Sequence, residues 1–598
     1  MTEDQASLPS QPALAFNVEV LANPSQETLR ELALEHTPHC FVTAHGSVNK
    51  VARNKARMAA FTYIIDRKGD GKQAYSHNVI EPAKAEALIA AQTQYLEAKG
   101  KLIEIDGYVG MGPRAVPVQW LYTLEGANIA GMQQVLAFPR ESVEDEETLA
   151  RPFAPAFRLV YTPDFRPADM PGQQAIVVDL DNYVTYIMGP DYFGESKKGA
   201  LRMLCEFIYR RGGLVMHAGA KTIDTGSDNL VMAVLGLSGT GKTTTTFSQQ
   251  GRLTQPVQDD MVALWPAGEI SITENGCFAK TFGLTAESEP VIHAGTCSRS
   301  AWIENCFVDA DGIPVFDKGL LTSADVTRLR EVLIDTGANA ENVDAYIRGD
   351  VTAEEITDAN GIPKDGWDFA AWSENGRSII PMSSVEGAAD FRSLPQMRSL
   401  GILNRDEGAD AATPGILRFS SPEQAAGYLM LGETSKTSAA GKDRGKTRSP
   451  FTQPFFPLAH NLQAERFSEL AATFAETNMW MMNTGYVAGD GRSVKSGDGL
   501  KIKIPHSSAM LEAMISGTIK WTKDPDFGYE VVDIEAEENK ELLNRVPAEI
   551  LQPRRLFEAK GALGSYQAWV QRMKEERSMF LRKFDVPETI ISAVTGPQ

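Results

Sequence analysis

GLSGTGKTTTT, running from Gly236 to Thr246, is the stretch on which the reading of this chain turns. It fits the pattern G-x-x-x-x-G-K-[ST], in which each residue type has a physical task. Gly236, Gly239 and Gly241, with Ser238 and Thr240 among them, let the backbone turn tightly and bring its N–H groups up to phosphate oxygens. Lys242 reaches the terminal phosphates, the Thr243 hydroxyl ligates magnesium, and a helix starts at Thr243 and Thr244. The apolar run Leu230–Leu235 in front of the loop reads as a buried strand. That strand separates the loop from a Gly/Thr-rich surface turn, and the stretch predicts an α/β nucleotide-binding domain.

The rest of the chain bounds the partners. Its 598 residues allow several cores, and 43% hydrophobic with 23% charged residues is ordinary for a globular protein. No apolar run approaches the roughly 18–20 residues that span a bilayer. The start, MTEDQASLPSQPALAF, lacks the basic region and apolar core of a secretory signal. Five cysteines (Cys40, Cys205, Cys277, Cys297 and Cys306) form no C-x-x-C pair, so the expected compartment is the reducing cytoplasm. A formal net charge of −20 argues against nucleic-acid and anionic-membrane partners. Any site for ATP and an anionic substrate must then be locally basic, so Lys and Arg clustered near the loop carry weight.

Along the chain, residues 1–26 are polar with Pro9, Pro12 and Pro24, and read as a flexible arm. An N-terminal substrate-side domain is expected over 27–213. Helical spacing covers Leu29–Leu34, Ala83–Ala98 and Glu195–Arg211, and strands cover His39–Thr43, Leu102–Gly110 and Ala175–Leu180. A nucleotide- and metal-binding domain is expected over 214–598. It holds the strand Leu214–His217, the loop, a strand-rich run from Val262 to Phe282, apolar Met479–Met482 and a helix at Ala509–Ile515. Residues 319–375 are acidic and helix-like and read as an insertion, while 404–412 and 434–449 read as mobile loops.

Three segments surround the loop in sequence. YFGESKKG puts Tyr192, Lys197 and Lys198 just before a helix, VMHAG puts His217 at a strand end, and QDDM puts Asp259 and Asp260 about 16 residues after the loop. Singly, these are a solvated lysine pair, a satisfied histidine and a turn. In this order they resemble the ATP-dependent phosphoenolpyruvate carboxykinases, whose pattern is Y-x-G-E-x-K-K-G, M-H, G-L-S-G-T-G-K-T-T, G-D-D and G-C-Y-A-K-T. Gly276-Cys-Phe-Ala-Lys-Thr281 matches the last of these. GRSIIP at 376–381, KDRGKT at 442–447 and MNTGY at 482–486 resemble T-R-x-x-Y-P, T-E-R-G-x-T and V-N-T-G-W. The resemblance runs from about residue 27 to about 520 and is most specific over 192–281.

It implies a two-domain fold with a P-loop nucleotide-binding domain and a mixed-sheet N-terminal domain, and conversion of oxaloacetate and ATP to phosphoenolpyruvate, CO2 and ADP. It implies that Lys198, His217 and Asp260 hold manganese, that Thr243 ligates magnesium and that Asp259 orders water beside it. Lys242 and Lys280 would clamp the transferring phosphate, Tyr192 would hold the carboxyl or CO2 end, and Arg377 would bind carboxylate or γ-phosphate. Arg444 and Thr447 would join the loop in binding nucleotide. A lysine ligand must be neutral, which from a pKa of about 10.4 costs roughly 4.6 kcal/mol at pH 7. Such a site should lose metal as pH falls.

The chain also departs from the pattern. The family's G-R-S-P-K-D-K substrate loop is absent. Ungapped alignment at Tyr63-Ile-Ile65 puts Arg57 at its arginine, with Arg53 as rival. E-H-G-W becomes MVALW after the aspartates, and A-D-A-x-G-V-L-P-P is reduced to ADAATPGIL at 409–417. Three readings stand: the carboxykinase, an ATP kinase of this fold with another anionic acceptor, and a nucleotide-sensing protein that contacts a protein partner through residues 319–375. The complete lysine, histidine, aspartate and threonine set weighs against a mere binder.

Overall fold

The computed structural model describes residues 8, 16–53, 58–226, 229–236, 245, 254–351, 376–435, 446–453, 455–474 and 476–597. The chain forms two compact units, residues 1–207 with 272–388, and residues 208–271 with 389–598.

In the first unit, the alternating strand Lys101–Val109 buries every second side chain and pairs antiparallel with Val116–Thr123. That pair seeds an eight-stranded mixed sheet, which continues through Phe157–Thr162, Val184–Met188, Ala175–Asp179, Thr62–Ile65 and Asn78–Ile80. The helix Pro82–Lys99 has proline in its first turn and ends at Gly100, whose φ of +74° suits glycine. Its Gln92 is buried and donates to the carbonyls of Val160 and Ile187, which fixes the helix on the sheet. Residues 19–22, expected in the flexible arm, are a strand paired in parallel with Lys101–Glu104. The cause is apolar: Phe16 and Val18 pack on Leu96, Leu102, Leu121 and Val160.

A second sheet of this unit runs Gly276–Lys280, Arg377–Pro381, Trp302–Glu304, Val48–Lys50 and Cys40–Val42. Its register ties residues 276–381 to residues 40–50, so residues 272–388 cluster with the first unit and not, as expected, with the nucleotide-side domain. The helix-like segment beyond 319 forms Ser323–Asp335 and Ala340–Arg348. The first starts at a reciprocal Thr322–Asp325 cap, the second at Asn339, and Leu329, Leu333 and Val343 close on Val51 and Phe307.

The second unit is built on an eight-stranded sheet. At its centre Asn229–Gly236, Met397–Asn404 and Asn478–Asn483 run parallel, and antiparallel strands flank them. The central strands are nearly continuous apolar runs, as strands covered on both faces must be. Gly401 lies opposite Trp480, and a Cβ there would sit 2.3 Å from the indole ring, so the close crossing of these strands requires glycine. Residues 404–412, expected as a mobile loop, are held down. Asp406 is 1% exposed and accepts from the N–H groups of Ala412 and Thr413 and from the Thr413 hydroxyl. Of residues 434–449, also read as a mobile loop, Thr434–Ser435 and Lys446–Thr447 pair as a short ribbon, and 436–445 lie outside the described residues. No helix among the described residues is long and apolar enough to cross a membrane.

Candidate active site

In the first unit, the site begins at the amphipathic helix Gly194–Arg210. Glu195 in its first turn is fully buried, and its carboxylate accepts from Lys198 Nζ and from Arg202 Nη2, each at 2.9 Å. These residues share a helix face because they stand three and seven apart. Burial alone would raise the Glu195 pKa, but Lys198 and Arg202 outweigh it and hold the carboxyl below its ordinary range. For Lys198, burial lowers the pKa, Glu195 opposes that, and Arg202 and Arg377 add to the fall. The net lowering is the direction a metal-ligating lysine needs. Lys198 Nζ also lies 5.7 Å from the ring centroid of Tyr192, whose hydroxyl pKa is raised chiefly by burial. Lys197 turns elsewhere, to Glu274 Oε1 at 2.8 Å and the face of Phe278.

The second sheet supplies the remaining candidate residues of this unit. Lys280, Arg377 and Glu304 occupy one rung of three adjacent strands, so their side chains share a face. The Arg377 guanidinium donates to the Gly376 carbonyl at 2.9 Å and stands 5.7 Å from the Phe278 ring centroid. Glu304 is fully buried and accepts from Phe193 N–H at 2.9 Å; burial, reinforced by Asp191, pushes its pKa up to about 8. Asp191 accepts from the Arg53 backbone N–H at 3.0 and 3.1 Å and from Lys50 Nζ at 3.3 Å, with Arg53 Nε 3.8 Å away. Of the two rival arginines, Arg53 is thus set one residue from Tyr192, while Arg57 lies outside the described residues.

In the second unit, His217 follows the strand Leu214–Met216, which pairs with Val262–Leu264 just after the aspartate pair. His217 Nε2 approaches Asp260 Oδ1 at 2.8 Å, and Nδ1 lies 3.1 Å from the Phe451 carbonyl. A proton on Nδ1, given to that carbonyl, leaves the Nε2 lone pair beside the carboxylate, and these are two donors suited to a divalent cation. Asp259 is buried next to them. Gly236 closes the strand Asn229–Gly236 opposite Leu403, and Asn404 stands opposite Asn483. The strand before the loop therefore ends at the carboxyl ends of parallel strands, where open α/β sheets bind ligands. Ser238, Gly239, Thr240, Gly241, Lys242, Thr243, Thr244 and Arg444 lie outside the described residues. Thr447 belongs to the ribbon, where its hydroxyl donates to the Thr434 carbonyl at 3.3 Å.

Several supports carried no assigned role in the sequence reading. Glu195 stood within YFGESKKG, and its i, i+3, i+7 spacing to Lys198 and Arg202 was the available signal. Asn483 gives the MNTGY segment its purpose. It accepts from Asp406 N–H and Gly485 N–H and donates to the carbonyls of Thr413 and Tyr486. Glu304 had no sequence signal because strand register brings it in, and Asp191 had none because its partners Lys50 and Arg53 are distant in the chain.

Residues 18–336 and 353–540 match the model of the phosphoenolpyruvate carboxykinase family in its ATP form. Phosphoenolpyruvate carboxykinase (ATP) of Thermus thermophilus is 26% identical over 508 residues, which covers 83% of this chain and 81% of that one. The enzyme of the same name from Mesorhizobium japonicum is 27% identical over 507 residues, covering 82% and 80%. The matched ranges leave out residues 1–17, residues 337–352, a narrower stretch than the insertion read from sequence, and residues 541–598.

Proposed function

The chain belongs to the phosphoenolpyruvate carboxykinase (ATP) family, a family of carboxy-lyases and phosphotransferases, and from that premise we propose that it converts oxaloacetate and ATP to phosphoenolpyruvate, CO2 and ADP. The observation that carries the reading is the approach of His217 Nε2 to Asp260 Oδ1 with Nδ1 tied to Phe451. A histidine held in that tautomer beside a carboxylate fits a divalent cation. Lys198, whose pKa falls with burial, is the third proposed manganese ligand. Thr243 and Asp259 are proposed for magnesium and its water. When bound, such cations neutralise charge on the enolate and the phosphates.

The chain's own residues do the rest. Arg377, with Arg57 or Arg53, binds the substrate carboxylates, since a guanidinium can hold a carboxylate through two hydrogen bonds. Tyr192, buried and un-ionised, offers its hydroxyl at the end that departs as CO2. Loss of CO2 leaves an enolate whose oxygen attacks the γ-phosphate, and Lys242 and Lys280 stabilise the transferring group. The Gly236–Thr246 loop cradles the phosphates of ATP.

One observation favours a second reading, an ATP kinase with a different anionic acceptor. Asp191 lies against Arg53 and Lys50 and offsets their charge on the side where the family's substrate loop is missing. Comparing ADP release with oxaloacetate, pyruvate and malate, in the presence of both cations, separates the two. Oxaloacetate alone should support turnover on the first reading, and preference for another acid would establish the second.

A further inference from the structure

The C-terminal segment beyond the family match is built into the second unit next to its proposed nucleotide side. The helix Leu563–Arg582 buries Tyr566, Trp569, Val570, Met573 and Arg577 along one face, at the three- and four-residue spacing of a helix stripe. Arg577 is 2% exposed. Its guanidinium donates to Glu433 Oε1 at 2.8 Å and Oε2 at 3.3 Å, and to the Tyr428 hydroxyl at 3.0 Å. Glu433 accepts in turn from Arg448 Nε at 2.7 Å, and Arg448 Nη1 donates to Glu576, one residue before Arg577, at 2.9 Å. Lys446 Nζ stands 5.1 Å from the Trp569 ring centroid and donates to Asp406 at 3.1 Å. Nearer solvent, Arg572 pairs with Asp410.

These contacts converge on two places. One is the ribbon Thr434–Ser435 with Lys446–Thr447, whose ends flank the segment carrying Arg444. The other is the turn Asp406–Thr413, which follows the carboxyl end of the strand Met397–Asn404. The two are tied together, since Ser435 N–H donates to the Arg405 carbonyl at 2.7 Å, and the turn follows the carboxyl end of a central parallel strand, the end proposed to hold the nucleotide. A buried ion pair is a weak source of net stability, because desolvation offsets attraction, but its geometry is strict. Three cations (Arg577, Arg448, Lys446) interleaved with three carboxylates (Glu433, Glu576, Asp406) therefore fix position more than they add stability.

We propose that the helix Leu563–Arg582 is a positioning element for the nucleotide: through Arg577, Glu433 and Arg448 it sets the paired strands Thr434–Ser435 and Lys446–Thr447 and the Asp406 turn beside the proposed ATP site. The inference rests on the reading of this unit as ATP-binding and adds residues that lie outside the family match. It places Arg577 and Glu433 as positioning residues that do not touch ATP.

The test uses the full chain carrying Glu433→Gln with Arg577→Met, which removes both buried charges together and leaves neither unpaired. Magnesium-ATP affinity is measured by calorimetric titration, backbone exchange by mass spectrometry, and kcat and both KM values by turnover. The expected result is a cooperative melt, faster exchange over 446–449 and 406–413, at least tenfold weaker ATP binding, and an unchanged oxaloacetate KM. Arg572→Ala, on the exposed side, should weaken ATP binding about threefold and reports the same property should the double variant not fold. Faster exchange with ATP affinity within twofold of wild type would overturn the positioning role and leave the nucleotide reading standing. Absence of saturable ATP binding in the wild type would overturn the nucleotide reading, and this inference with it.

Discussion

Replacing Glu304 by glutamine should remove a pH-dependent penalty on stability. Glu304 is fully buried, with Oε1 on the Phe193 N–H and Oε2 without a hydrogen-bond partner among the described residues. Around it stand Asp191, which raises its pKa, and Lys50 and Arg377, which lower it; Tyr192 and Cys306 also sense its charge. Burial dominates and carries the carboxyl from an ordinary 4.5 to about 8. Between those two values the folded state holds a proton that the unfolded chain has released. Stability therefore falls as pH rises from 4.5 to 8, by up to about 1.4 kcal/mol per pH unit, and levels off above 8. From pH 5 to 7 the loss is on the order of 3 kcal/mol. Glutamine keeps the acceptor for Phe193 and cannot ionise. Urea melts of wild type and Glu304→Gln at pH 5, 6, 7 and 8 check this through the difference between the two curves. That difference should grow in the variant's favour with pH. Parallel curves would show that Glu304 is already ionised in the folded protein and that its surroundings are more polar than argued.

His217→Ala and Asp260→Asn should each weaken manganese binding at least tenfold while magnesium-ATP binding persists, because the two cations are assigned to different side chains; unchanged manganese affinity in a paramagnetic titration counts against the assignment. Arg57→Ala should raise the oxaloacetate KM on the order of tenfold, the worth of a charged hydrogen-bonding pair, with the ATP KM unchanged. Arg53→Ala should do less, since Asp191 already offsets its charge, and steady-state kinetics showing the reverse order would move the substrate arginine to Arg53. Gly401→Ala forces a methyl group against Trp480 and should cost about 1–3 kcal/mol of stability; an unchanged melting temperature would mean that the two strands separate more easily than their register suggests.

Elements with a strong period were legible in the sequence. Leu201, Leu204, Phe207 and Ile208 marked the Gly194–Arg210 helix, and the Ala/Leu spacing after Pro82 marked Pro82–Lys99. The apolar run before the nucleotide loop is the buried strand Asn229–Gly236. What failed to show was whatever depends on partners distant in the chain. Strands of three to five residues, such as Trp302–Glu304 and Arg377–Pro381, carry too few side chains to announce their sheet, and it is their register that moves residues 272–388 to the first unit. Polar Asp406 reads as a loop residue because composition cannot reveal that backbone N–H groups and Lys446 satisfy its carboxylate in the interior. The candidate site divided in the same way. Lys198, His217 and Asp260 stood out by order and spacing, and Glu195 by its spacing to Lys198, whereas Glu304 and Asp191, whose partners are distant in the chain, needed the fold.

The proposed activity of this chain couples decarboxylation of oxaloacetate to phosphoryl transfer from ATP. The direct measurement is the product balance from ATP and oxaloacetate with manganese present, with phosphoenolpyruvate, CO2 and ADP quantified in the same sample and GTP run in parallel. The three products should form in equal amounts, with a clear preference for ATP. ADP formed without phosphoenolpyruvate, or faster turnover with GTP, would contradict it.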